Sequence, residues 1–168
     1  MTVLRTNQDL DPARLREVFG IYPSGVVAVA ALVDGAPVGL AASSFTSVSL
    51  DPPLVSFSIA NASKTWPDLR RASHLGVTIL AEHHSTVARQ LAGAVERRFD
   101  GVPVTATADG AVTLDDGLAQ FDTTIHDEIL AGDHTIVLLH LIAVRRTALT
   151  DPSPLVFHRS RFGRVQPG

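Results

Sequence analysis

The chain has 168 residues, 45% apolar, 18% charged and 5% aromatic, with a net charge of −3 and no cysteine. These figures support one domain with an aliphatic core. They exclude a disulfide scaffold, an iron–sulfur cluster, a thiol nucleophile and a strongly basic surface for nucleic acid.

Asp11-Pro12 opens a short helix with Leu15, Val18 and Phe19 at helical spacing, and Pro23-Ser24-Gly25 ends it. Residues 26–33 read as a buried strand, Asp34-Gly35 as a hairpin turn and residues 37–44 as the returning strand. Asp51-Pro52-Pro53 forces an extended entry into a third strand over 54–59. Ser63 caps an expected helix over about 64–72, residues 75–80 form a strand, and 85–91 form a helix. Residues 92–116 read as a long loop holding a short strand or two. Long strands follow over about 119–127 and 134–144, then a last strand over 155–158. Six or seven strands joined mostly by short turns predict a mainly β fold with peripheral helices. A closed or nearly closed antiparallel barrel fits better than a doubly wound sheet. One domain is expected over 1–168, with its core at about 15–163 and loose tails at 1–10 and 164–168.

Several routes to function are closed. There is no Gly-x-Gly-x-x-Gly, no Gly-Lys-Ser/Thr loop, no Gly-x-Ser-x-Gly elbow and no His-Glu-x-x-His. The longest apolar runs, 26–33 and 136–144, fall short of the roughly 20 residues that span a bilayer. Residues 1–9 lack the apolar stretch of a signal peptide. The expectation is a cytoplasmic protein without a membrane or nucleic-acid partner.

Two polar clusters stand out. Ser43-Ser44-Phe45-Thr46-Ser47-Val48-Ser49 either binds a polar ligand through hydroxyls and nearby amides or caps its own backbone as a turn. Asn61-Ala62-Ser63-Lys64-Thr65-Trp66 lies where a strand gives way to a helix and includes the only lysine. It suits a phosphate or is an ordinary helix cap. Arg97-Arg98-Phe99 is a basic pair beside an aromatic ring, able to meet a nucleotide or to stand as a solvated loop. Of the histidines, adjacent His83 and His84 are expected to point to different sides. His126, His134 and His140 have no supporting carboxylate pattern, so no metal is expected. His134, at a strand start after Gly132-Asp133, is the one singled out.

Taken in order, these residues resemble a known family. Pro23-Ser24-Gly25-Val26 and the stretch from Pro37-Val38-Gly39-Leu40-Ala41-Ala42-Ser43-Ser44 through Asp51-Pro52-Pro53-Leu54-Val55 are similar to the flavin reductase-like family. Gly76-Val77-Thr78-Ile79-Leu80, Arg98-Phe99-Asp100-Gly101, Gly132-Asp133-His134 and Pro154-Leu155-Val156-Phe157-His158 follow in the family's order. The resemblance implies an FMN-binding split β-barrel and a homodimer with flavin near the subunit interface. It implies hydride transfer from NADH or NADPH to FMN, or possible FAD, with reduced flavin passed to a separate monooxygenase. A flavin storage, sensor or electron-carrier protein is the alternative, and a barrel for another small ligand the third.

By the same resemblance, Gly39, Leu40, Ala41 and Ala42 lie along the isoalloxazine with their amides, and Ser43 and Ser44 hold the ribityl chain or phosphate. Ser58, Ile59, Ala60 and Asn61 border the flavin. Lys64 and Thr65 meet the phosphate, with Arg98 and Phe99 nearby, and His134 orients the nicotinamide. Three departures from the family pattern are visible: Ala41-Ala42 without a hydroxyl, Phe162 where many members have tyrosine, and no cysteine near Phe121.

Overall fold

The computed structural model describes residues 10–148 and 153–166; the remainder, which includes nearly all of the expected N-terminal tail and the last two residues of the C-terminal one, lies outside the described residues. Helix α1 (Pro12–Phe19) starts as expected. The Asp11 carboxylate accepts the N–H groups of Ala13 at 2.9 Å and Arg14 at 3.1 Å, satisfying two otherwise orphaned donors. Leu15 is half-buried, but Val18 and Phe19 are exposed, Phe19 to 67%.

After the two-residue β1 (Ser24–Gly25), strands β2 (Val27–Val33) and β3 (Ala36–Ala42) form the expected hairpin. Asp34 and Gly35 have φ of 51° and 81°, the left-handed pair that matches strand twist in a tight turn. Next comes β4 (Thr46–Leu50), which corrects the reading of 43–49 as a turn or ligand loop: its second half is a strand paired with β5 (Pro53–Ala60). Its hydroxyl residues hid it, because an edge strand left almost wholly exposed lacks the apolar run of a buried strand.

The helix expected over 64–72 is one turn, α2 (Trp66–Leu69). That turn already buries Trp66 and Leu69, and the Arg70 side chain at its end reaches Glu128, 2.8 Å away. Strand β6 (Leu75–Ile79) and helix α3 (Ser85–Leu91) fall where the periodicity places them. The long loop holds a small hairpin, β7 (Val104–Ala106) with β8 (Val112–Leu114). The long pair β9 (Ala119–Ala131) and β10 (His134–Arg146) extends beyond both expected ends. Strand β11 (Leu155–His158) is followed by β12 (Arg161–Arg164), which sequence reading missed. Its turn carries Arg159 and Ser160 at φ 48° and 59°, where Asn-Gly would signal a hairpin. Holding two L-residues left-handed costs on the order of 1 kcal/mol each. The Arg159 N–H anchors the turn by donating to the Gly20 carbonyl at 2.8 Å.

Every strand pair is antiparallel. The main sheet runs β3-β2-β6-β9-β10-β5-β4, with β3 and β4 as its edges, so hydrogen bonds do not close it. A smaller sheet, β1-β11-β12, lies beside it. One core fills the curl of the main sheet: Val29, Val77, Val137, Leu139, Leu69 and Leu75 are fully buried, and Phe57 meets Trp66 edge-on at 5.7 Å. A second core, with Leu80, Leu91 and Leu155, packs α3 and the C-terminal hairpin against the sheet's other face. Each such leucine contributes roughly 1.5–3 kcal/mol by its burial. Alternate residues of β3 therefore serve different cores: Leu40 and Ala42 the first, Ala41 the second. Among the described residues no helix is long and apolar enough to cross a membrane.

Candidate functional site

The site grows from the free edge of β3. In an extended strand a residue's N–H and C=O point to the same side, alternating along the chain. The Gly39 carbonyl accepts from Arg98 Nη1 at 2.9 Å instead of from β2. The N–H groups of Gly39 and Ala41 consequently point away from β2; Gly39 itself is buried beside Arg98 and Phe99, and Ala41 is half-buried. Gly39 has no side chain because there is no room for one. A Cβ there would lie 2.6 Å from the Val29 carbonyl oxygen and 2.8 Å from the Phe99 ring.

Arg98 is the hub. Nη1 also donates to the Thr65 hydroxyl at 2.8 Å, and Nε donates to the Gly93 carbonyl at 3.1 Å. One partly buried guanidinium thus holds three segments, and hydrogen bonds to a charged group are worth about 1.5–3 kcal/mol each. Thr65 is buried, its backbone N–H reaching the Ser63 hydroxyl at 3.3 Å. Gly39, Thr65, Arg98 and Phe99 are brought together, although far apart in sequence. Lys64, next to Thr65, is exposed.

A second group follows β5. The Ser44 hydroxyl accepts the Ser58 N–H at 2.8 Å and donates to the Ser58 carbonyl at 3.1 Å. It replaces the strand partner that β4 no longer supplies beyond Ser56. Ser44 is therefore engaged with β5, whereas Ser43 lines a cavity. At the end of β5, Asn61 ties in the β9–β10 turn. Its Nδ2 donates to the Gly132 carbonyl at 3.1 Å, its backbone N–H to the Asp133 carbonyl at 2.9 Å, and its Oδ1 accepts from Thr135 at 2.9 Å. The same register sets His134 opposite Ala60, one residue pair beyond Ile59 and Thr135. His134 is half exposed, its Nδ1 2.7 Å from the Asp133 carboxylate. That hydrogen bond, with the charge of His134 behind it, holds the Asp133 carboxyl below its ordinary range.

Sequence reading missed the other wall. Val26, Ala41, Ala42, Ser43, Ala88, Ala92, Phe157 and Phe162 enclose a cavity of about 160 Å³ at the end of β3. Phe157 and Phe162 pack at 5.3 Å, and the Arg89 guanidinium sits 5.0 Å over the Phe162 ring. The signal lay in Phe157-x-x-x-x-Phe162 flanking a turn, legible only once β12 is known.

The histidine reading needs one correction. His83 and His84 do not point apart: both address Asp116, His83 Nε2 at 2.9 Å and His84 Nε2 at 2.8 Å. A short helical turn over Glu82–His84 swings both rings to one side. The three groups lie within 4.8 Å of one another, as a metal site would require. The tautomer argues against that use. His84 Nδ1 accepts the Ala81 N–H at 3.0 Å, so its proton resides on Nε2 and is donated to Asp116. Metal-binding histidines ordinarily donate from the nitrogen opposite the metal.

The residues present suit an aromatic, phosphate-bearing cofactor. Amides that β2 does not use lie along one edge of β3, and an apolar cavity with two aromatic rings and the Ser43 side chain adjoins it at Ala41.

The comparisons agree with this geometry. Residues 19–166 match the family model described as flavin reductase like domain. A flavin reductase of Pseudomonas putida is 36% identical over 156 residues, covering 92% of this chain and 90% of its own. The crystal structure of nitrilotriacetate monooxygenase component B from Mycobacterium thermoresistibile superposes with a TM-score of 0.90 at 30% identity, covering 95% of this chain and 89% of that one. An NADH:FAD oxidoreductase of Streptomyces globisporus, solved with NAD and FAD fragments, gives 0.87 at 31% identity over 98% of both chains. With the edge amides, the Arg98 hub and these matches in hand, the chain belongs to the flavin reductase-like family.

Proposed function

We propose that this protein is an NAD(P)H-dependent flavin reductase. It passes hydride from NADH or NADPH to FMN or FAD and supplies reduced flavin to a separate monooxygenase, acting as a single domain in the cytoplasm. The observation that carries the reading is the β3 edge that no further strand pairs, where Ala41, Ala42 and Ser43 wall an apolar cavity and the Ala41 amide points away from β2. The names of the relatives support it.

Flavin supplies the two-electron acceptor that no side chain of this protein offers. The chain's own contribution is placement. Gly39 and Ala41 present fixed N–H donors where negative charge develops, and Arg98 keeps that edge from shifting. Ser43, Lys64 and the rim of β5 from Ser58 to Asn61 position the polar tail. His134, steadied by Asp133, orients the nicotinamide; alignment of two rings needs no acid–base dyad.

The split-barrel and homodimer readings also belong here. The main sheet ends at β4, an edge strand with Val48 and Leu50 exposed, and Ile129 and Leu130 protrude from the β9–β10 arm. Such apolar surface on an unpaired edge supports a second copy as its cover.

The test is NADH and NADPH oxidation by purified protein with and without added FMN and FAD. Flavin-dependent oxidation is expected. Tight flavin binding without oxidation would overturn the reductase reading in favour of a carrier or sensor.

A further inference from the structure

The β11–β12 hairpin carries His158, Arg159, Arg161 and Arg164 within seven residues, on a chain of net charge −3. Arg164 reaches Glu82 at 3.3 Å; among the described residues neither Arg159 nor Arg161 has an ion-pair partner. An open groove of about 570 Å³ lies against His158, Arg159, Arg161, Phe162 and Gly163. Phe162 borders this groove and also the cavity that contains Ala41, Ala42 and Ser43. One aromatic ring therefore separates a cationic groove from the candidate flavin cavity. Arg89 stacked on Phe162 adds a third positive charge at that boundary.

The backbone is built for this presentation. Arg159 and Ser160 are both left-handed, a conformation that asparagine and glycine adopt at less cost. The Arg159 N–H is tied to the Gly20 carbonyl, so the turn is held although its residues disfavour it. A bulky cation at a position suited to asparagine or glycine is a local conflict, and such conflicts gather at functional sites.

Resting on the reductase reading, we infer that this groove binds the phosphate-bearing adenosine end of a dinucleotide, with Arg159 and Arg161 as its anion contacts and Phe162 dividing that end from the ring end. The chemistry is that of a pyrophosphate or ribose phosphate meeting planar guanidinium donors. Both FAD and the nicotinamide dinucleotides carry such an end, and FMN does not.

The experiment measures equilibrium binding of FMN, FAD, NAD⁺ and NADP⁺ to the full chain, by flavin fluorescence and by calorimetry. Wild type is compared with the Arg159→Gly, Arg161→Gln double variant. Glycine suits the left-handed turn, so the variant removes charge without straining the hairpin. The expected result is a loss of about tenfold in affinity for FAD, for the nicotinamide dinucleotides, or for both, with FMN unchanged. A loss confined to FAD assigns the groove to the flavin's adenosine end. A loss confined to NAD⁺ and NADP⁺ assigns it to the co-substrate. Arg159→Lys with Arg161→Lys should recover part of the lost affinity. Unchanged affinity for all four probes would overturn the inference, as would an equal loss for FMN. Because binding is read without turnover, a chain that binds FAD through this groove yet oxidises no NAD(P)H would sink the reductase reading and leave this one standing.

Discussion

Two of the four histidine–aspartate contacts among the described residues have nearly equal lengths and opposite settings. His134 lies 2.7 Å from Asp133 at the β9–β10 turn, and His84 lies 2.8 Å from Asp116 ahead of α3. In both places the aspartate is held below its ordinary pKa. For Asp116 partial burial pushes upward, and hydrogen bonds from His84 and His83 more than offset it. For Asp133 the His134 hydrogen bond comes first. The settings differ. The His84 side chain is 4% exposed and both its nitrogens are committed, one to the Ala81 backbone. The His134 side chain is 47% exposed and leaves Nε2 without a hydrogen-bond partner among the described residues. Equal chemistry therefore divides into a clip that holds a loop and a group available to a ligand. Burial and backbone partners make the division; the side-chain pair does not.

The largest effect that would sharpen this contrast is on stability. His84→Ala strands the Ala81 N–H and removes a donor to Asp116, and should cost about 2–3 kcal/mol in urea unfolding. Nucleotide KM values should not move. A loss below about 0.5 kcal/mol would place the clip among neutral surface contacts.

The second effect is catalytic. His134→Ala should raise KM for NAD(P)H by about tenfold, from lost alignment. Flavin affinity and melting temperature should stay at wild-type values. Equal loss of flavin and nucleotide binding would end the separation of roles.

The third is pH dependence. Asp116 has a folded-state pKa below its unfolded value, so the unfolded chain binds more protons in the acid range. Its contribution is complete above the ordinary aspartate pKa, near pH 4. It fades as pH falls through the lower folded value. Asp116→Asn should thus lower stability at neutral pH and flatten the acid limb of the stability curve. A parallel downward shift at every pH would contradict this.

The smallest is Asp133→Asn. At a fully exposed site it should leave the fold intact and change nucleotide KM by about threefold at most. A collapse in stability would erase the distinction between the two contacts.

Much of the sheet was legible beforehand. Apolar, β-branched runs placed β2, β5, β6, β9, β10 and β11, and α3 fell where its periodicity set it. The elements that escaped share a cause. Strand β4 is a serine-rich edge, and β12 turns through Arg159-Ser160 instead of a glycine pair. Both depart from the patterns by which local sequence announces strands and turns. The helix after Ser63 was read too long: past Arg70 the N–H groups of Arg71 and Ala72 donate three residues back, to Asp68 and Leu69, so the α-helical ladder ends after a single turn.

The site divides in the same manner. The Ser43-Ser44 cluster and His134 after Gly132-Asp133 stood out by residue type, whereas Gly39 to Ala42 were singled out only through the family resemblance. The sequence by itself determined a mainly β chain and its polar clusters, since these rest on contacts and conformations a few residues wide. Only the tertiary structure decided that Arg98 closes on Gly39 across 59 positions, that His84 and not His134 is locked in place, and that Phe162 stands between two cavities. Those outcomes depend on which surfaces meet when two cores pack on opposite faces of one sheet, and no local pattern encodes such a meeting.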